Sequence, residues 1–335
     1  MGTARLTDIA AQAKVSEATV SRVLNGRPGV SEAKREAVLA ALDVLGHERP
    51  DRSRRPARGL VGLVVPELDN PVFPLFAQAV ERALTRRGHT PLLCTRFGGG
   101  SAEDELVDQL LERGARGLVF VSGLHADTQA DLDRYRRLLS RGVALAMING
   151  TRPELAGSFV ATDDRQAARL AVNHLVSLGH RTLGLALGPA RYLPSALKAE
   201  GFAESVAALL GPGASAHVEH SLYSVEGGQA AGSRLLDLGC TGIVCGSDLM
   251  ALGVVRAARA RGLRVPEDVS VIGYDDSPLM GFTDPPLTTV RQPVADMAAA
   301  AVSMLLESMD RPAPRHGELA FHPELVVRGS TASRA

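Results

Sequence analysis

Apolar positions recur along this chain with two different periods. In "LTDIAAQAKVSEATVSRVLNG" they fall at helical spacing in two short runs separated by a tight turn. The spacing predicts a helix over about residues 8–13 with Thr7 as its N-cap, and a second over 17–24 capped by Ser16. Glu17 in the first turn of the second helix suits the positive end of its dipole. Ile9, Ala13, Val15, Val20 and Val23 are the candidate core between the two, and Asn25-Gly26 is the stop signal. Ser31 opens a third helical pattern, in which Val38, Leu39, Leu42 and Leu45 form one apolar stripe.

From Leu60 the pattern changes. Continuous apolar runs of strand length ("GLVGLVVP", "TPLLCT", "GLVFVSG", "ALAMING", "TLGLALG", "GIVCGSD", "VSVIGYD") alternate with helical stretches at 73–87, 103–113, 164–178, 195–210 and 249–261. Runs apolar on both faces, separated by helices, predict parallel sheets in βαβ units. About a dozen such strands exceed one ordinary sheet and predict two lobes. In open α/β sheets, ligands bind beyond the carboxyl ends of the strands. Those ends are polar here: Asp69 and Asn70, Asn149, Asp163 and Asp164, Ser247 and Asp248, Asp275 and Asp276. A single aspartate at such a place serves as readily as a helix N-cap, and Asp164 and Asp248 read as caps. The pair in "GYDDSPL" follows a strand and precedes a turn, which suits a ligand better.

Composition sharpens this picture. Hydrophobic residues make up 45% of the 335 and charged residues 22%, with zero formal net charge, as in an ordinary globular protein. The charge is segregated. Residues 1–60 hold 11 Lys+Arg against 7 Asp+Glu, and the remainder 26 against 30. A basic head on an acidic body points toward an anionic polymer. Part of the excess lies in "RPDRSRRPAR" (49–58), where Arg49, Arg52, Arg54, Arg55 and Arg58 surround two prolines. Pro50 can start a helix, but Pro56 disfavours helical geometry at Arg55, so at most about one and a half turns fit between them. The stretch reads as an extended solvated spacer or as a basic arm on DNA.

Two short helices joined by a tight turn form a helix-turn-helix, whose second helix reads base edges in the major groove. Its exposed face here would offer Glu17, Ala18, Thr19, Ser21, Arg22 and Asn25: hydroxyls for phosphates, Arg22 for guanine, a methyl for thymine. A plain three-helix cap with a solvated polar face fits the same pattern. No chemistry of catalysis stands out. "FGGGSAED" lacks the spacing of a phosphate loop and reads as a loop capped by Ser101. In "HVEH", His217 and His220 would point to opposite faces of a strand, which disfavours a zinc site. Cys94, Cys240 and Cys245 read as small buried thiols in a reducing compartment. "MGTARLTDIA" has no apolar signal-peptide core and no run is long enough to span a bilayer, so a cytoplasmic protein with no membrane partner is expected.

"TDIAAQAKVSEATVSRVLNGRPGVSE" resembles the N-terminal signature of the LacI/GalR family of bacterial transcription regulators. "LVGLVVPELDNPVF", "LGHRTLGLALGP", "CGSDLMALG", "VPEDVSVIGYDDSPL" and "PPLTTVRQP" resemble segments of that family's regulatory domain. The resemblance implies an α/β protein: an all-α helix-turn-helix head over 1–48, a basic hinge over 49–59, and a two-lobed, periplasmic-binding-protein-like domain with parallel sheets over 60–330. The lobes would comprise about 60–161 plus 290–317, and 162–289 plus 318–330. It further implies a homodimer on a near-palindromic double-stranded DNA operator, switched by a small molecule, a sugar or sugar derivative; from the motifs alone, no cofactor and no metal are expected. Thr7, Ser16, Glu17, Ala18, Thr19, Ser21, Arg22 and Asn25, with Arg52, Arg54 and Arg55 of the hinge, would meet DNA. Phe73, Asn149, Tyr192, Lys198, Tyr223, Ser247, Asp275 and Gln292 would surround the effector.

Three departures matter. Lys14 stands where the family has glycine in the turn. Lys198 stands where it often has arginine, and a lysine cannot hold an anion bidentately. The hinge lacks the leucine that wedges into the minor groove in the family. The chain also stops soon after "FHPELVVRGS", so no tetramerising tail is expected. The alternative function is a soluble sugar-binding protein without a DNA role. A dehydrogenase on the same layers would need a phosphate fingerprint after the first strand, which is absent.

Overall fold

The computed structural model describes residues 6–24, 29–45, 59–95, 103–211, 214–310 and 317–334. The chain divides into two units, Met1–Arg58 and Gly59–Ala335.

In the first unit, α1 (Leu6–Ala13), α2 (Glu17–Leu24) and α3 (Glu32–Val44) close on one small core. Ile9, Ala10, Ala13, Val20, Val23, Val38, Ala41 and Leu42 are buried in it, with Val15 and Leu39 packed at its edge. The turn between α1 and α2 depends on Lys14, which takes the left-handed region at φ 52°. That conformation lets Val15 N–H reach back to the Ala10 carbonyl at 3.1 Å, closing α1. Two sequence expectations are corrected. α1 begins at Leu6, so Thr7 lies inside its first turn instead of capping it. Leu45 lies past the end of α3 and is 37% exposed, outside the core stripe.

The second unit contains, in chain order, β1 (Leu60–Val65), α4 (Val72–Arg86), β2 (Thr90–Thr95), α5 (Glu103–Glu112), β3 (Ala115–Val121), α6 (Asp133–Ser140), β4 (Ala144–Ile148), β5 (Ser158–Thr162), α7 (Asp164–Ser177), β6 (Leu183–Leu187), α8 (Leu193–Leu210), β7 (Ala216–His220), α9 (Val225–Asp237), β8 (Gly242–Cys245), α10 (Asp248–Ala260), β9 (Ser270–Asp275), β10 (Thr288–Arg291), α11 (Val294–Met309), β11 (Gly317–Phe321) and β12 (Glu324–Val326). Among the described residues these form two six-stranded sheets, ordered β11-β5-β4-β3-β1-β2 and β12-β10-β9-β8-β6-β7. All pairs are parallel except β10 with β12.

The central strands are buried along their length, Arg116 near the start of β3 excepted, because helices cover both faces of each sheet. In the first lobe α4 and α11 pack one face, through Phe76, Val80, Ala301 and Leu305, while α5 and α6 pack the other. In the second lobe α7 and α8 cover one face and α9 and α10 the other. α9 and α10 approach so closely that a Cβ at Gly228 or Gly253 would strike the facing helix's backbone.

The chain crosses between lobes after Thr162, after Arg291 and after Phe321. The last crossing falls later than the expected 317–318 boundary. β11 pairs with β5 along its whole length, Gly317↔Ser158 to Phe321↔Thr162, and so stays in the first lobe. Residues 290–291 belong to β10 of the second lobe, not the first. Cys240 and Cys245 are buried and free, but Cys94 is only half-buried. Burial pushes the Cys240 thiol up to about 11. No helix among the described residues is long and apolar enough to cross a membrane.

Candidate functional site

On the head, α2 presents Glu17, Ala18 and Arg22 to solvent, with Thr19 and Ser21 half-buried. Ser16 caps α2 as its sequence context suggests: its Oγ accepts from Thr19 N–H at 3.2 Å and lies 2.9 Å from Thr19 Oγ1. The Thr19 hydroxyl is therefore engaged in the cap pair. Thr7 and Lys14 are exposed on α1 and in the turn. Asn25, Arg52, Arg54 and Arg55 lie outside the described residues, as do Ser101 and the whole of the basic stretch 49–58.

In the second unit the carboxyl ends of both sheets face one cavity of about 810 Å³. The first lobe contributes Phe73 from α4 and Asn149 from the end of β4. Tyr192, Lys198, Tyr223, Ser247 and Asp275 come from the second lobe, and Gln292 from the second crossing. All eight residues expected around an effector thus line one cavity.

The second lobe's wall is electrostatically organised. Lys198, on α8, ion-pairs with the Asp164 carboxylate, and both side chains are 6% exposed. Tyr274 donates to the same Asp164 oxygen at 3.0 Å, and its ring centroid lies 3.8 Å from the Lys198 ammonium. Asp164 is therefore not the cap of α7. That role falls to Asp163, which accepts from Gln166 N–H at 2.9 Å. The same correction applies to Asp248. Ser247 caps α10, accepting from Met250 N–H at 3.3 Å. Asp248 is turned inward to accept from Ser277 N–H at 2.7 Å and Thr289 Oγ1 at 2.6 Å.

Asp248 thus anchors the "GYDDSPL" turn, in which Asp275 and Asp276 both have positive φ, 117° and 54°. The two aspartates part company there. Asp276 turns outward to pair with Arg291 at 2.7 Å and Arg328 at 2.6 Å. Asp275 is buried in the cleft and accepts from Gln292 Nε2 at 2.6 Å. Burial, reinforced by the neighbouring Asp248 carboxylate, holds Asp275 well above the usual carboxylate range. Tyr223 lies 2.6 Å from Ser195 Oγ, and burial raises its phenol, so it keeps its proton.

The first lobe's wall includes Asn149, at φ 66°, whose amide donates to Ser122 Oγ at 3.2 Å. Glu103, at the start of α5, accepts from Tyr135 OH at 2.5 Å and from Leu124 N–H at 3.1 Å. At the rim the lobes touch. The Thr128 N–H and hydroxyl both donate to the Arg191 carbonyl at 2.8 Å, and Arg191 Nε lies 3.2 Å from Asp127 Oδ2. Sequence reasoning missed Glu103, Asp127, Arg191 and Tyr274. Tyr274 stood inside a motif already singled out; for the others no local signal distinguishes a cleft residue from a surface charge.

Comparison with known proteins agrees with this geometry. The family model for bacterial regulatory proteins of the lacI family matches residues 5–49, and that for a periplasmic binding protein-like domain matches residues 172–331. An uncharacterized HTH-type transcriptional regulator in the aml 5' region of Streptomyces limosus is 62% identical, over 98% of this chain and 94% of the relative. The HTH-type transcriptional regulator MalR of Streptomyces coelicolor is 59% identical, over 99% and 97%. Among solved structures, a complex of the transcriptional regulator CelR with cellobiose superposes with a TM-score of 0.71 at 30% identity, over 98% of this chain and 100% of the other. The lac repressor dimer bound to operator and the anti-inducer ONPF gives 0.69 at 27%, over 99% and 100%.

Proposed function

Since the chain belongs to the lacI family of bacterial regulatory proteins, and is a transcription regulator rather than an enzyme, we propose that it is a repressor: a homodimer that holds a near-palindromic operator until a sugar enters the interlobe cleft. The observation that carries this reading is the pairing, in one chain, of a helix-turn-helix head with a cavity walled by both lobes. A cavity whose walls belong to two lobes couples ligand binding to their relative position. Two heads in a dimer match two half-sites. The lac repressor dimer on its operator supports that assembly by analogy. Phe282, 87% exposed, and Leu279, 67% exposed, offer an apolar turn of the kind subunit contacts cover.

The cleft suits a sugar. Carboxylates and amides can bridge vicinal hydroxyls, while Phe73, Tyr192 and Tyr223 offer flat apolar faces. A volume of about 810 Å³ stands high in the ~300–1,000 Å³ range of small-molecule sites. That favours a disaccharide or larger glycoside over a single pentose, in keeping with the cellobiose held by CelR.

The test is a mobility shift with DNA selected from a random pool, with and without neutral disaccharides, alongside light scattering. The proposal expects a dimer, a palindromic consensus and release by sugar. A monomer on a single half-site would count against it. So would sugar binding by a protein that shows no sequence-selective affinity for DNA, the behaviour of a plain sugar-binding protein.

A further inference from the structure

We infer that the cleft is built to take an uncharged saccharide and to reject the phosphorylated or carboxylated form of the same sugar. This rests on the sugar-effector reading and adds the charge of the ligand to it.

Two cations stand among the described cavity-lining residues, Lys198 and Arg191, and each already has a carboxylate partner. Lys198 is held between Asp164 and the Tyr274 ring, almost without exposure. Arg191 pairs with Asp127 at 3.2 Å and lies over Tyr192, with its guanidinium carbon 5.3 Å from the ring centroid. An incoming phosphate would have to draw one of them away. For Lys198 that leaves Asp164 buried without its counter-charge, which is strongly unfavourable.

The second means of holding an anion is the free amides at a helix start. Several helices open toward this cavity, and each of α4, α7, α9 and α10 already has a first-turn amide engaged by a side chain. Val72 N–H of α4 donates to Asn70 Oδ1 at 3.4 Å, and Gln166 N–H of α7 to Asp163. Gly227 N–H of α9 donates to Ser224 Oγ at 3.0 Å, and Met250 N–H of α10 to Ser247 Oγ. α8 carries Pro194 in its first turn, which has no N–H.

Carboxyl groups outnumber cations on the wall. Glu67, Glu103, Asp164 and Asp275 line the cavity, Asp164 paired with Lys198 and Glu103 lying 3.8 Å from Arg134, and Asp248 lies behind Asp275. Even when Asp275 holds a proton it offers a neutral hydroxyl and not a cation. A sugar hydroxyl can donate to these oxygens, whereas a phosphate or carboxylate meets like charge in a partly dehydrated site. Neutral polyol recognition and anion exclusion thus follow from the same residues.

The test uses the full-length protein and a panel of cellobiose, maltose and trehalose with their 6-phosphates, read by calorimetry and by the shift in melting temperature. The expected result is that a neutral disaccharide binds and its 6-phosphate binds at least roughly tenfold more weakly, the scale of one uncompensated charge contact. Asp164→Asn, which releases Lys198, should narrow that gap. Because that residue is buried, Glu67→Lys on the exposed lip provides a second variant that leaves the core intact, and it too should narrow the gap. A wild-type protein that binds the phosphorylated sugar equally well or better overturns the inference but leaves the sugar-effector reading standing. Equal preference in the wild type and both variants shows that charge does not set the selectivity, and also overturns it. A panel in which no member binds overturns both.

Discussion

Gln292 donates from Nε2 to Asp275 Oδ1 at 2.6 Å, and its own Oε1 accepts from Thr162 Oγ1 at 3.0 Å. Thr162 ends the last strand before the first crossing between lobes, and Gln292 opens the second crossing. One buried amide therefore ties the two crossings to the carboxyl group in the cleft. A ligand hydroxyl that competes for Asp275 acts on the connection between the lobes themselves. This relay gives a physical route from occupancy to lobe movement.

Asp275→Ala is accordingly expected to abolish the sugar response while sparing operator binding, since it removes both the ligand acceptor and the Gln292 anchor. Mobility shifts across a titration of the releasing sugar check this. A variant released at the wild-type sugar concentration would rule the role out.

Asp248 links stability to pH. Burial pushes its carboxyl up to about 6. The folded state therefore keeps a proton that the unfolded chain has already lost, and Asp248 makes stability fall as pH rises from about 4 to about 6, after which its effect is constant. Asp248→Asn removes that titration. Urea unfolding at pH 4 and pH 7 should show the variant gaining on the wild type by on the order of 2–3 kcal/mol at the higher pH. An equal difference at both values would contradict the assignment.

Arg22 is the exposed cation of α2 and the candidate reader of guanine. Arg22→Ala should weaken specific binding by about 1–3 kcal/mol and relax the preference at one position of each half-site. Selection of bound sequences by the variant checks it; an unchanged consensus would remove Arg22 from base reading.

The arginines of the hinge lie outside the described residues, and their role is proposed from sequence. Replacing Arg52, Arg54 and Arg55 with alanine should lower affinity and reduce the log–log salt slope by roughly 0.9 for each phosphate that is no longer neutralised, with half-site preference retained. An unchanged slope means that the arm never touches DNA.

Lys14 at φ 52° holds a conformation that costs a non-glycine residue on the order of 1 kcal/mol. Lys14→Gly should slow hydrogen exchange in α1 and α2 by about the corresponding factor of five. If the lysine also contacts a phosphate, the salt slope of DNA binding falls at the same time.

Local pattern carried most of the architecture. The helices of the head, seven strands (β1–β4, β6, β8 and β9) and helices α4, α5, α7, α8 and α10 were legible because each buries a face of its own, which imposes period on the sequence, whereas α6, α9 and α11 were not singled out. β11 escaped notice, and β7 was met only through its histidines, because these edge strands bury no apolar face: Glu318, Leu319 and Ala320 are exposed in β11, and Ala216 and Val218 in β7. β5 and β10 escaped because Ser158, Thr162, Thr288 and Thr289 are buried polar residues, the three threonines held by tertiary partners that pattern does not reveal.

By itself, then, the sequence determined the two kinds of layer, the departure at Lys14, the family to which the motifs belong, and eight of the side chains that meet in the cleft. Only the tertiary structure decided which of two adjacent aspartates does what. Asp163 and Asp164 are neighbours at one helix start, and so are Asp275 and Asp276 at one turn. In each pair one member satisfies the backbone or the surface while the other turns into the cavity. The choice is made by a partner far along the chain: Lys198 for Asp164, and Gln292 for Asp275. A buried carboxyl group needs its counter-charge or donor within hydrogen-bond reach, and folding, not local pattern, brings that group there.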